Sequence, residues 1–384
     1  MDPVFPCSSL FFLVPPLIIN YMFKDHIKAI HPYEPGKPIK ELEREMGLRR
    51  IVKLASNENP LGPSRKALRA VRRALAEIHL YPEGASPELL AKLSEELGVG
   101  ENQIIVGNGS NEIIELLARG FLSEGDEVLS SDCSFLVYPI LSQVCGAKFV
   151  SAPMKDYRYD LKAILKAITD RTRLIFIANP NNPTGTYVTQ QEVEAFIAKV
   201  PKHVVICFDE AYVDFVEARD FPHMMFHVKT EKPNVIVLRT FSKAYGLAGL
   251  RVGYGVGAPE MIGYLHKIRQ PFNVNSLAQC AAAAALGDRF FLWRTKHLVS
   301  SGRRYFYKRL RKLGLQYVES QANFVLINTG RDAHEVFQAL LRHGMIIRSM
   351  KAYALPTWIR VTIGRRSENA LFFRLLRNYL KNAK

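Results

Sequence analysis

The sequence predicts an α/β fold, a mostly parallel sheet sandwiched by helices, followed by a smaller α+β domain. Three observations carry that prediction. Short apolar runs alternate with amphipathic stretches between residues 104 and 256, as in βα units whose strands are covered on both faces. Beyond about residue 275 the pattern changes to one long helical stretch and then shorter strand-like runs. The chain's 384 residues are also more than one core usually serves.

In order along the chain, strands are expected at 104–106, 127–129, 148–150, 174–178, 204–208, 235–238 and 253–256. Each is a short apolar run of the kind a doubly covered strand requires. Helices are expected between them at 112–121, 161–168 and 190–198, where apolar residues recur at helical spacing. The smaller domain should contribute strands near 324–327 and 359–363. The resulting division is an N-terminal extension over 1–21, an arm over 22–50, a large domain over 51–275 and a small domain over 276–384.

Residues 10–19 (LFFLVPPLII) are apolar but interrupted by Pro15-Pro16, and a bilayer span needs about 20 apolar residues. No Lys or Arg precedes the run, so it lacks the charge pattern of a secretory signal. The expectation is that Met22 is the native start and that 1–21 is a disordered or mis-annotated extension.

Composition excludes several classes. With 48% hydrophobic and 23% charged residues, the chain is not disordered, collagen-like or a polytopic membrane protein. Its five cysteines, at 7, 133, 145, 207 and 280, form no CxxC pair and leave an odd thiol. That argues against a disulfide framework or structural zinc and for a reducing, cytoplasmic setting. No HExxH or clustered His/Cys set suggests another metal.

The net charge of +16 is carried by the segment from Arg289 onward, with 20 Lys and Arg against 4 Asp and Glu. This reads either as a nucleic-acid face or as solvated helix faces that favour anionic ligands. The cluster Arg303, Arg304, Lys308, Arg309, Arg311 and Lys312 lacks stacking aromatics at binding-module spacing. No nucleic-acid partner and no membrane association are expected.

In open parallel sheets, ligands bind beyond the carboxyl ends of the strands. Four expected strands end in polar clusters: Gly107-Asn108-Gly109-Ser110-Asn111-Glu112, Asn179-Pro180-Asn181-Asn182-Pro183-Thr184-Gly185, Asp209-Glu210-Ala211-Tyr212 and Arg239-Thr240-Phe241-Ser242-Lys243. They should converge on one crevice. The first is a glycine turn entering a helix. Ser110 would cap that helix, and its first N–H groups would either hold a phosphate or serve as an ordinary cap. Asp209 ends an all-apolar strand, where a carboxylate is costly unless it meets a cation such as a protonated ring nitrogen. Tyr212 offers a phenol to the same ligand. Lys243 stands among small residues, with Arg251 eight positions on as a phosphate fork. Lysine is the side chain that forms Schiff bases, given burial or neighbouring cations to free its amine.

A Schiff-base lysine, an acid for a ring nitrogen, a phenol and a phosphate cup are the parts of a pyridoxal-phosphate site. The motifs KLASNENPLGPS (53–64), YPEG (81–84), NPNNPTG (179–185), DEAYVDF (209–215), RTFSKAYGLAGLRVGY (239–254), RQPFNVNSLAQ (269–279) and IRVTIG (359–364) extend the pattern across nearly the whole chain. In these motifs the sequence resembles the fold-type-I pyridoxal-phosphate aminotransferases, and among them the histidinol-phosphate aminotransferases.

The resemblance implies that Lys243 binds pyridoxal 5′-phosphate and carries the proton between Cα and C4′. It implies that Asp209 keeps the pyridine nitrogen protonated and that Tyr212 and Asn182 hydrogen-bond the phenolic O3′. Phe135 would stack on the ring, while Ser110, Asn111, Ser242 and Arg251 hold the phosphate. Tyr81 would reach over from the second subunit of a homodimer. On the substrate side, Arg360 and Arg348 would bind the phosphate of histidinol phosphate and, in the other half-reaction, the carboxylate of glutamate. Tyr33 would touch the substrate phosphate from the partner's arm. One departure stands out: Cys133-Ser134-Phe135 replaces the Pro-Ser or Pro-Thr that usually precedes the stacking aromatic, which should loosen that loop.

The implied reaction is histidinol phosphate plus 2-oxoglutarate to imidazole-acetol phosphate plus glutamate. An aromatic or broad-specificity aminotransferase, or a threonine-phosphate decarboxylase, would share the cofactor motifs. A cofactor-sensing regulator would need a DNA-binding module that residues 1–50 do not supply. A nicotinamide oxidoreductase would need a GxGxxG turn that Gly253, Gly255 and Gly257 do not make.

Overall fold

The computed structural model describes residues 23–32, 51–230 and 232–382. The expected extension over 1–21, the start at Met22, and Tyr33 with the rest of the arm beyond residue 32 lie outside the described residues.

Seven strands form the main sheet: β1 (Ile104–Gly107), β2 (Glu127–Ser131), β3 (Lys148–Ala152), β4 (Thr172–Ala178), β5 (Val205–Asp209), β6 (Val235–Thr240) and β7 (Gly253–Val256). Their order is β1-β7-β6-β5-β4-β2-β3, parallel except for β7, which runs antiparallel between β1 and β6. Side chains alternate between two buried layers. Ile175, Ile177, Ile206, Phe208, Val235 and Val237 face one layer, and Leu174, Phe176, Cys207, Ile236 and Leu238 face the other. This double burial is why the strands read as unbroken apolar runs.

A second sheet, β8 (Tyr317–Val318), β9 (Phe324–Asn328), β10 (Arg348–Ser349) and β11 (Trp358–Thr362), is antiparallel in the order β8-β9-β11-β10. It packs with the long helix Arg289–Leu313 and the helix Arg366–Asn382, whose Phe306, Phe372 and Phe373 fill its core. The same cluster takes in Tyr212, Phe215 and Ala244 from the loops after β5 and β6. The small sheet is thereby pressed against the carboxyl ends of the large one. Val52–Lys53 pairs in parallel with Met345–Ile346 and leads residues 55–57 along this seam. Among the described residues no helix is long and apolar enough to cross a membrane.

Candidate active site

A cleft of about 280 Å³ opens where the two sheets meet. Of the residues singled out in the sequence, Ser110, Asn111, Phe135, Asn182, Asp209, Tyr212, Ser242, Lys243, Arg251, Arg348 and Arg360 all line it. Tyr81 does not. It is 84% exposed, stacked on Phe272 with ring centroids 4.9 Å apart.

Asp209 closes β5, and its backbone still pairs into the sheet although its side chain is polar. Its carboxylate accepts from the Tyr138 hydroxyl at 3.0 Å and from the Ala211 N–H at 3.2 Å. Burial pushes this carboxyl above the usual range, while the Tyr138 hydroxyl, the Ala211 N–H and the charge of Lys243 pull it back. Among the described residues no arginine or lysine is in direct contact with this carboxylate, which leaves room for a cationic ligand.

Lys243 follows β6 in a tight turn. At Gly246, φ is +70°, and an added Cβ would lie 2.3 Å from the Gly62 carbonyl oxygen, so only glycine fits that crossing. The Lys243 Nζ donates to the Ser56 carbonyl at 3.2 Å and stands 5.7 Å from the centre of the Tyr212 ring. Burial, with the nearby charges of Arg360 and Arg251, brings its pKa down from 10.5 to about 8. The shift moves the amine toward the neutral form that a nucleophilic lysine requires.

The anion cup forms where the turn after β1 meets Arg251. Gly109 has φ +78°, and a Cβ there would sit 2.6 Å from the Arg251 Nη2. The expected capping by Ser110 is corrected: Gly109 is the cap residue and Ser110 the first residue of the helix Ser110–Phe121, making no side-chain cap bond. Glu112 instead reaches back to the Asn108 N–H at 2.5 Å, leaving the Ser110 hydroxyl at the cleft wall.

On the opposite wall, Arg360 is 7% exposed. Its Nη2 donates to the Ala55 carbonyl at 2.7 Å and its Nη1 to the Asn182 side-chain oxygen, while its Nε is buried with no partner. Among the described residues no carboxylate pairs with it. Arg348 stands directly opposite Arg360 across the β10–β11 ladder. Like charges facing each other on paired strands repel unless an anion sits between them. Asn182, with its oxygen engaged by Arg360, keeps its amide nitrogen as a free donor among the described residues.

Sequence reasoning missed Tyr138 and Asn57. Tyr138 is fully buried, stacked on Phe176 at 4.5 Å and edge-on to Phe135 at 5.5 Å. Its only signal was one helical turn's spacing from Phe135. Cys133 does not line the cleft. It packs beside Met350, Tyr353 and Trp358, and burial pushes its thiol up to about 12, which makes it inert near neutral pH. The loop that lacks proline is held by Asn181, which donates to the Cys133 carbonyl at 2.9 Å, and by the Ser134–Tyr159 hydroxyl contact.

The cleft lies between the two sheets and holds a buried lysine with a lowered pKa, a buried acid and an arginine whose Nε has no partner. The chain belongs to the class I and II aminotransferases, whose family model matches residues 49–372. Within that class it belongs to the histidinol-phosphate aminotransferases. It is 46% identical to the histidinol-phosphate aminotransferase of Moorella thermoacetica, over 93% of this chain and 92% of that one. It is 48% identical to that of Akkermansia muciniphila, over 94% and 99%. The solved histidinol-phosphate aminotransferase of Sinorhizobium meliloti, in complex with pyridoxal-5′-phosphate, superimposes with a TM-score of 0.87 at 28% identity, covering 94% of this chain and 98% of that one.

Proposed function

We propose that the protein uses pyridoxal phosphate to move an amino group from histidinol phosphate to 2-oxoglutarate, giving imidazole-acetol phosphate and glutamate in histidine biosynthesis. The observation that carries this reading is Arg360, a buried guanidinium with an unpartnered Nε, facing Arg348 across one ladder at the wall opposite the lysine and the acid. Such a pair suits a phosphate and a carboxylate in turn.

When bound, the cofactor supplies a pyridinium ring that takes up the electrons released at the substrate Cα. Lys243 would hold the cofactor through its Nζ and would carry the proton between Cα and C4′. Asp209 stays ionised against the ring nitrogen, helped by the Tyr138 hydroxyl. The Tyr212 hydroxyl and the Asn182 amide nitrogen would donate to O3′, and Phe135 would stack on the ring. Ser110, Asn111, Ser242 and Arg251 hold the cofactor phosphate.

The chain acts as a homodimer in the cytoplasm. Exposed Leu75, Ile78, Leu80, Tyr81 and Phe272 support a subunit contact from which Tyr81 would reach the partner's cleft. The large domain would end near residue 275, with the small domain following it. Borohydride reduction of the loaded protein, followed by peptide mapping, tests the cofactor assignment. The label is expected on Lys243, and a label on any other lysine refutes it.

A further inference from the structure

Three consecutive residues of the motif KLASNENPLGPS each grip a different member of the site. The Ala55 carbonyl accepts from Arg360, the Ser56 carbonyl from Lys243, and the Asn57 amide nitrogen donates to the Tyr212 hydroxyl at 2.9 Å. Asn57 is 1% exposed and uses every polar group it has. Its backbone N–H donates to the Thr362 hydroxyl at 3.0 Å, and that hydroxyl donates back to the Asn57 side-chain oxygen at 3.1 Å. Its carbonyl accepts from Asn323 at 3.0 Å. Thr362 lies on β11 two residues beyond Arg360, so its side chain leaves the same face of the strand. The backbone of Asn57 is left-handed, with φ +56°, a conformation that asparagine and glycine tolerate best.

We propose that Asn57 is a positioning residue, whose side chain sets the Tyr212 hydroxyl and ties it through Thr362 to the strand that carries Arg360. The phenol oxygen accepts the amide hydrogen, so Asn57 does not take up the phenol's own proton. A donor aimed at the cofactor's O3′ stabilises negative charge there. The same side chain is braced on β11, so anion capture and the orientation of the phenol share one frame. This inference rests on the proposed role of Tyr212 toward the cofactor.

The test uses the loaded, full-length enzyme and follows its visible absorbance against pH. Losing a donor to the charged O3′ disfavours the deprotonated chromophore, so the titration midpoint moves to higher pH, by about one unit for one such bond. Asn57→Asp removes the donor and offers the phenol an acceptor that turns its proton away. Asn57→Gly keeps the left-handed backbone and its N–H bond to Thr362 while deleting the amide. Both are expected to raise the midpoint and to lower kcat more than they raise KM for glutamate. Combining Asn57→Gly with Tyr212→Phe should give no larger shift than Tyr212→Phe alone, because the asparagine acts through the phenol. A wild-type midpoint in both Asn57 variants, or additive shifts in the double variant, overturns the inference while leaving the role of Tyr212 intact. A wild-type midpoint in Tyr212→Phe overturns that role, and the inference with it.

Discussion

Replacing Lys243 by methionine should make the cofactor-free protein more stable. The native amine is held near pKa 8, against 10.5 for an unhindered lysine, by burial and by the charges of Arg360 and Arg251. At 1.36 kcal/mol per unit, that displacement is worth about 3 kcal/mol of destabilisation while the amine is charged. Between pH 8 and 10.5 the unfolded chain holds this proton and the native chain does not, so stability rises with pH across that window. The cost is therefore fully present below pH 8 and is gone above about 10.5. Methionine has a similar length and no charge. Thermal melts of the cofactor-free Lys243→Met variant and wild type should differ by several degrees at pH 7, with the variant higher, and the gap should shrink steadily toward pH 10. A variant no more stable at pH 7, or a gap that does not change with pH, would refute the claim that the fold holds this amine at a cost.

Three further outcomes are expected. Arg360→Ala should weaken histidinol phosphate and glutamate alike, by about 2–5 kcal/mol each, since both anions meet the same buried guanidinium; separate half-reaction titrations check this, and a loss confined to one substrate contradicts a shared site. Asp209→Asn should leave the melting temperature near wild type, because the group it replaces is a buried carboxyl already pushed up by desolvation, while kcat falls by orders of magnitude; a near-normal kcat would remove Asp209 from the mechanism. Tyr138→Phe deletes one hydroxyl from a fully buried ring and so a bond to the Asp209 carboxylate, worth about 1.5–3 kcal/mol for a charged partner. Its kcat should fall roughly tenfold or more with little change in KM, and unchanged steady-state kinetics would make the bond merely structural.

The fold was legible because both faces of the main sheet are buried. Runs such as LIFIA and VVICF are apolar throughout and leave no other place to put them, and each expected strand lies within two residues of an observed one. Where the bounds differ, the strands mostly run on into polar residues. Asp209 and Thr240 belong to β5 and β6 because backbone pairing continues whatever the side chain. The reversal of β7 was not legible, since strand direction is set by the connections and leaves no mark in a run like GYGV.

In the cleft, the residues that directly follow strands could be picked out from the sequence, because topology brings the carboxyl ends of parallel strands together. Tyr138 and Asn57 could not. The first sits in a stretch that reads as ordinary amphipathic helix. The second acts across 155 and 305 positions of chain, on Tyr212 and Thr362, and no local pattern records such contacts. Likewise, the opposition of Arg348 and Arg360 depends on the register between β10 and β11, which only the structure supplies.

The cleft is proposed to take histidinol phosphate as amino donor. The most direct test is a titration of the loaded enzyme in which visible absorbance is followed as histidinol phosphate, phenylalanine and glutamate are added separately. Complete conversion to the pyridoxamine form is expected with histidinol phosphate at low concentration, and with glutamate at higher concentration. Conversion by phenylalanine with no response to histidinol phosphate would contradict it, making the enzyme an aromatic aminotransferase built on the same cofactor site.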